Sequence, residues 1–383
     1  MEDLTHEWLP DHQLGVAATL SHADELVGQL ADVLFAYQTH ADGTLELVEQ
    51  LVFPNTRTVV AHVAPLPRKI PLLAADALVA LRAALEHALF AEVEFRDGAL
   101  ETKSARMVEI PAFRRAEDFK SWGKRRVKNG PVSLHPGSGL SKRIEGLQPF
   151  NRRDAHNHPL ARLVLHTNHA KHRTPAVTAV RIAAMYREDQ RPRSVHSLPQ
   201  RPEVPLRVGD VIAETAVGTR VPVTLFPTVG INRPGTDRWP VLMQELDEIS
   251  HWVRTQAVPR LVTGTEPPRP ELPARFEIAA GHVDERLAIT AGSTTSAAER
   301  HKRRLSAASV RGDMVDTLGQ MDGSLSADHI AAWLDHLTDE EVLDRVSRLK
   351  PTRSQSPNRV QRNFGVLRDM CDEAVAFGRE RPR

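Results

Sequence analysis

Arg82 and His87 stand with four residues between them in Leu81-Arg82-Ala83-Ala84-Leu85-Glu86-His87. Those two residue types suit metal-free cleavage of a phosphodiester. A histidine moves a proton, and a guanidinium offsets the charge that builds on the phosphorus centre. The spacing alone is not selective. Arg57/His62, Arg153/His158, Arg162/His169, Arg191/His196 and Arg275/His282 stand at comparable separations. Only the Arg82 and Arg162 pairs fall in strong helical patterns. Five positions on an ideal helix rotate roughly 140° beyond one turn, so Arg82 and His87 do not share a face. They would converge only near a distorted helix end or across a subunit interface. Seven positions return to nearly the same face. That places Arg162, His166, His169 and Arg173 on one stripe, with Asn168, Lys171 and His172 beside it.

Other readings compete with catalysis. A basic, histidine-rich helix face also fits a solvated surface, and Glu86/His87 beside a leucine stripe also fits the border of a core. His156, His158, His166, His169 and His172 invite a zinc reading, because imidazole suits that metal. A fixed site needs a further ligand from another segment, and no Asp/Glu-rich hydrolase motif accompanies the histidines. No metal or cofactor is therefore assigned. A second basic stretch packs Lys120, Lys124, Arg125, Arg126 and Lys128 around Trp122. Phosphate contacts with base stacking on Trp122 would hold a single strand. The alternative is a solvated loop anchored to the core by Trp122.

The elements that position these residues follow from periodicity. Leu26, Leu30, Val33 and Leu34 predict a helix over 21–38, and Leu78, Leu81, Leu85 and Leu89 predict another over 71–95. Strands are expected at 43–48, 58–63, 211–214 and 221–226. Residues 111–143 read as loops around a short helix. His158-Pro159 opens a helix running to about Arg173, with Pro175 marking its end. Leu242, Leu246, Ile249 and Val253 predict a helix over 239–262. The expected first domain is 1–263, followed by a proline-rich linker at 264–273 and a helical C-terminal domain at 274–383. In that last part, 326–337 and 338–349 read as a helical hairpin, with Thr338 and Glu341 at capping-box spacing. Pro351–Pro357 reads as another linker before a final helix carrying Val360, Phe364, Leu367 and Cys371.

Composition sets outer limits. The 383 residues are 41% hydrophobic, enough for two domains with a sizeable core. A net charge of +1 does not by itself mark a nucleic-acid binder. One cysteine excludes a disulfide within the chain and fits a reducing cytoplasm. The acidic start, with no long apolar run after it, leads us to expect neither a signal peptide nor a membrane span.

Residues from about 40 to 260 resemble a large family of uncharacterised bacterial proteins, common in actinobacteria. Leu81–Phe90 (LRAALEHALF) is similar to its LRSALDHLAY helix, and Ile144–Asn151 (IEGLQPFN) to its I-x-x-LQPYN. The stretch from His158-Pro159-Leu160 to Lys171-His172-Arg173 resembles HPL…SNIDKHR, with Ala170 where that family has an aspartate. The Arg82/His87 spacing also resembles the R-x4–6-H signature of the HEPN superfamily, many of whose members are ribonucleases. That resemblance implies an α+β, mainly helical fold: a HEPN-like helical core with small β-strand insertions and a separate helical C-terminal domain. It implies a homodimeric endoribonuclease of toxin or phage-defence type, in which the substrate 2′-hydroxyl attacks the adjacent phosphate. His87 would be general acid or base, Arg82 would contact the phosphate, and His172 would be a further catalyst. Arg162, His166, His169, Lys171 and Arg173, with Lys120, Trp122, Lys124, Arg125 and Arg126, would contact RNA. The alternative is a non-catalytic module of the same fold that binds RNA or a protein partner, the latter through the C-terminal domain.

Overall fold

The computed structural model describes residues 5–190, 198, 201–264, 266–321, 325–350 and 357–380. The Arg191/His196 pair and the segment 351–356 lie outside the described residues. The elements run α1 (Leu14–Gln38), β1 (Leu45–Val52), β2 (Asn55–Val63), α2 (Lys69–Asp97), α3 (Thr102–Ala105), α4 (Ala116–Asn129), α5 (Gly139–Gly146), α6 (Pro159–His172), β3 (Thr178–Arg187), β4 (Val211–Ala216), β5 (Val223–Ile231), α7 (Leu242–Trp252), α8 (Val258–Thr263), α9 (Glu285–Thr290), α10 (Ala297–Gly319), α11 (Ala327–His336), α12 (Asp339–Ser347) and α13 (Pro357–Glu380). This is a mainly helical α+β chain with two small antiparallel sheets.

The chain divides into two units, 1–298 and 299–383. In the first, α2 is the central element. Leu78, Leu81, Leu85 and Leu89 are buried along it, and so are Ala74, Ala77, Ala84 and Ala88. Leucines supply the apolar area, while the alanines let neighbouring helices approach closely. α1 lies along α2 and buries Leu20, Val27, Leu30 and Leu34. It begins before the expected residue 21, because Val16 and Ala17 are buried too and Gln13 donates to the Ala88 carbonyl of α2 at 3.1 Å. Gly98 ends α2 with φ 79, a backbone state that favours glycine.

β1, β2 and β4 form one sheet in that order, and β3 pairs with β5 in another. Val60, Ile182 and Ile212 join Leu47, Met185, Val223 and Leu225 in a small apolar cluster drawn from both sheets. The region read as loops around a short helix instead holds α4, of 14 residues, and α5. α7 and α8 are joined by a π-helical turn, Val253–Ala257. Pro259 accounts for it: proline brings no N–H and its ring crowds the preceding turn, so the helix widens locally.

The expected boundary in the proline-rich segment is not where the chain divides. Leu272, Ala274, Phe276 and Ile289 are buried in the first unit. The Ser21 hydroxyl donates to the Phe276 carbonyl at 2.9 Å, and Trp8 Nε1 donates to the Pro270 carbonyl at 3.0 Å. Proline removes donors but leaves carbonyls, and here α1 and the residues before it use them. The division falls in the first turn of α10.

In the second unit, Met314, Leu318, Ile330, Trp333, Leu334, Met370 and Ala374 form the core. Thr338 caps α12 as its spacing predicts. Its Oγ1 accepts the Glu341 N–H at 3.3 Å, and the Glu341 carboxylate accepts the Thr338 N–H at 2.8 Å. Among the described residues no helix is long and apolar enough to cross a membrane.

Candidate functional site

α2 carries Arg82 and His87 on different sides. The Arg82 guanidinium donates to the Ile110 carbonyl and pairs with Glu86, one turn along the helix. Glu86 accepts the Ile110 N–H at 2.9 Å, which completes a clamp on the segment before α4. Burial raises the Glu86 carboxyl, and Arg82 and the Ile110 N–H act against that rise. His87 is exposed and faces α1, with Nδ1 at 3.3 Å from Thr19 Oγ1. The Thr19 hydroxyl donates to the Gly15 carbonyl at 3.0 Å. Nδ1 is then the donor to Thr19, and Nε2 has no protein partner among the described residues. Within the chain Arg82 and His87 do not converge, as their angular separation requires.

The stripe on α6 splits in two. Arg162 and His166 are buried, with side chains 3% exposed, against Glu245 of α7. Arg162 Nη1 donates to Glu245 at 2.8 Å and to Glu248 at 2.7 Å, and His166 Nε2 lies 3.3 Å from Glu245 Oε1. Arg233 grips the same carboxylate in bidentate fashion at 2.9 and 2.7 Å. It also donates to Asn157 at 2.8 Å. Burial alone would raise the Glu245 carboxyl. The bonds from His166 and Arg233 and the charges of Arg162 and Arg233 outweigh it and hold the group down to about 2. The expected RNA contacts at Arg162 and His166 are therefore corrected to a buried ionic network that ties α6 to α7. His158 caps α6, its Nδ1 accepting the Leu160 N–H at 3.2 Å. Burial, with the charges of Arg152 and Arg162, lowers this ring to about 4. His169 is half-buried, and Lys171, His172 and Arg173 are exposed at the far end. Cations there complement the helix dipole, which explains their position without a ligand.

α4 sorts its basic residues by face. Phe119, Trp122, Gly123 and Arg126 are buried. Trp122 stacks on Phe119 with centroids 5.2 Å apart, and the Arg126 guanidinium lies 3.7 Å above the Trp122 ring. Arg126 donates to the Met107 carbonyl, the Trp122 carbonyl and Glu109 at 3.0, 3.1 and 3.0 Å. Burial lowers its pKa, partly opposed by Glu109. Trp122 and Arg126 are thus corrected from RNA contacts to core. Lys120, Lys124, Arg125 and Lys128 are exposed on the other side. Their side chains have no hydrogen bond or ion pair with any described residue. Arg115, by contrast, is held by Asp118 at 3.0 Å.

Glu245 and Arg233 escape a motif search. Glu245 does leave a trace: it sits on the stripe of Leu242, Leu246 and Ile249, an acid at a core position. Gln148 of the LQPFN segment is also buried and structural. Its Oε1 accepts the Phe113 N–H at 3.0 Å, and its Nε2 donates to the Pro111 carbonyl at 2.9 Å. Among the described residues no group of three or more His, Cys, Asp or Glu could hold a metal ion. Compared with known protein families, curated proteins and solved structures, the chain matches none.

Proposed function

We propose that this chain is a non-catalytic, HEPN-like RNA-binding module whose contact surface is the outward face of α4. One observation carries the reading: Lys120, Lys124, Arg125 and Lys128 are exposed together and no described acid pairs with them. Unpaired cations on one rigid helix suit a polyanion, because each phosphate contact releases condensed counterions. The test is fluorescence anisotropy of labelled RNA with the full chain, across a salt series. Binding that weakens steeply with salt supports the reading, and an absence of binding at low salt contradicts it.

The ribonuclease reading retains one favourable observation, an exposed His87 whose Nε2 has no partner among the described residues. Against it stands Arg82, whose guanidinium is engaged by Glu86 and Ile110 and would have to leave both to meet a phosphate. Incubation with RNA in EDTA separates the two. Cleavage that survives chelation and disappears in His87→Ala favours the nuclease.

A further inference from the structure

We infer that the outward face of α4 grips the phosphate backbone of double-stranded RNA and reads no bases. This rests on the RNA-binding reading above and specifies its ligand. Apart from the exposed Glu117 carboxylate on the same side, which repels phosphate, the groups on offer are cations, which donate but do not accept. Ser121 lies on the same face, but its hydroxyl proton is donated to the Glu117 carbonyl at 2.9 Å, which leaves it no donor for a base edge. Binding of a single strand draws on aromatic platforms that stack its bases. The one tryptophan of this stretch is sealed between Phe119 and Arg126. Affinity must then come from charge density, and there the duplex has the advantage. A DNA duplex carries about one charge per 1.7 Å of axis, twice that of either strand, and an RNA duplex is at least as dense. Lys120, Lys124 and Lys128 rise roughly 6 Å apart along a straight helix, so the row spans roughly 12 Å of such a backbone. Duplex RNA is recognised largely by shape and by its backbone, which is what a rigid row of cations can engage. Arg152 and Arg153 are both exposed. Phe150, just before them, lies 6.1 Å from Phe119 between ring centroids.

The experiment compares an RNA duplex of about 20 base pairs with its own single strand, using the same label, the full chain and a salt titration. The duplex is expected to bind at least about fivefold tighter at equal salt. Replacing Lys120, Lys124, Arg125 and Lys128 together by glutamine should reduce the slope of log K against log salt by about 3.6 on the duplex. A thermal midpoint and circular dichroism spectrum unchanged in that variant show that the fold is retained. A single strand bound as tightly as the duplex overturns the inference and leaves RNA binding intact. An unchanged salt slope in the variant overturns α4 as the contact. No binding to either RNA overturns the RNA-binding reading itself.

Discussion

The α6–α7 network and the outward face of α4 use the same kinds of residue to opposite effect. Arg162, His166 and Arg233 converge on Glu245, whose side chain is 1% exposed. Lys120, Lys124, Arg125 and Lys128 stand in solvent with no ion pair among the described residues. Cationic type alone does not separate structure from recognition. What separates them is whether the fold supplies an anion at the same place. Where it does, the charge holds helices together. Where it does not, the charge remains available to a partner.

The largest effects should fall on the sealed side. Glu245→Gln leaves the buried Arg233 without its anion and Arg162 with Glu248 alone, and should cost about 3–5 kcal/mol in urea unfolding. A loss under 1 kcal/mol would place the network in the solvated class. Trp122→Ala should cost a similar amount, about 3–5 kcal/mol, because it empties a fully buried site. A base-stacking Trp122 would behave in the opposite way, with stability kept and RNA affinity lost. Arg82→Ala should cost about 1–3 kcal/mol, since the Ile110 carbonyl and Glu86 lose their donor. His87→Ala should stay within about 0.5 kcal/mol.

Acid should weaken the sealed side in two stages. His158 is lowered from 6.5 to about 4, so the unfolded chain takes up its proton first. Its contribution to stability is present above pH 6.5 and is lost as pH falls to about 4. Glu245 is lowered from 4.5 to about 2, and its contribution is present above pH 4.5 and lost as pH falls toward 2. Unfolding curves across pH should show both windows. His158→Asn, which keeps a capping side chain, should flatten the first and leave the second.

The sequence made the frame of the first unit visible through α2, whose leucines repeat at helical spacing and are all buried. It hid β3, where Val180, Arg181 and Ile182 are buried in succession, so no alternation marks the strand. Proline content suggested a linker at 264–273, yet Leu272 is buried in the first unit. At the candidate site, cationic character was readable and facing was not. In KSWGKRRVK, Trp122 and Arg126 stand four apart and turn inward together, while Lys120, Lys124 and Lys128 turn out. A run of charge masks that period. Glu245 was unreadable as a hub because its partners Arg162 and Arg233 lie far away in sequence or on another element.

The smallest change in stability should accompany the largest change in binding. Glutamine at 120, 124, 125 and 128 together touches only exposed side chains. The deciding measurement pairs RNA anisotropy with thermal unfolding on that variant. The account predicts an unchanged unfolding midpoint and affinity for duplex RNA reduced at least about a hundredfold at about 0.1 M salt. Full affinity in a folded variant would contradict it.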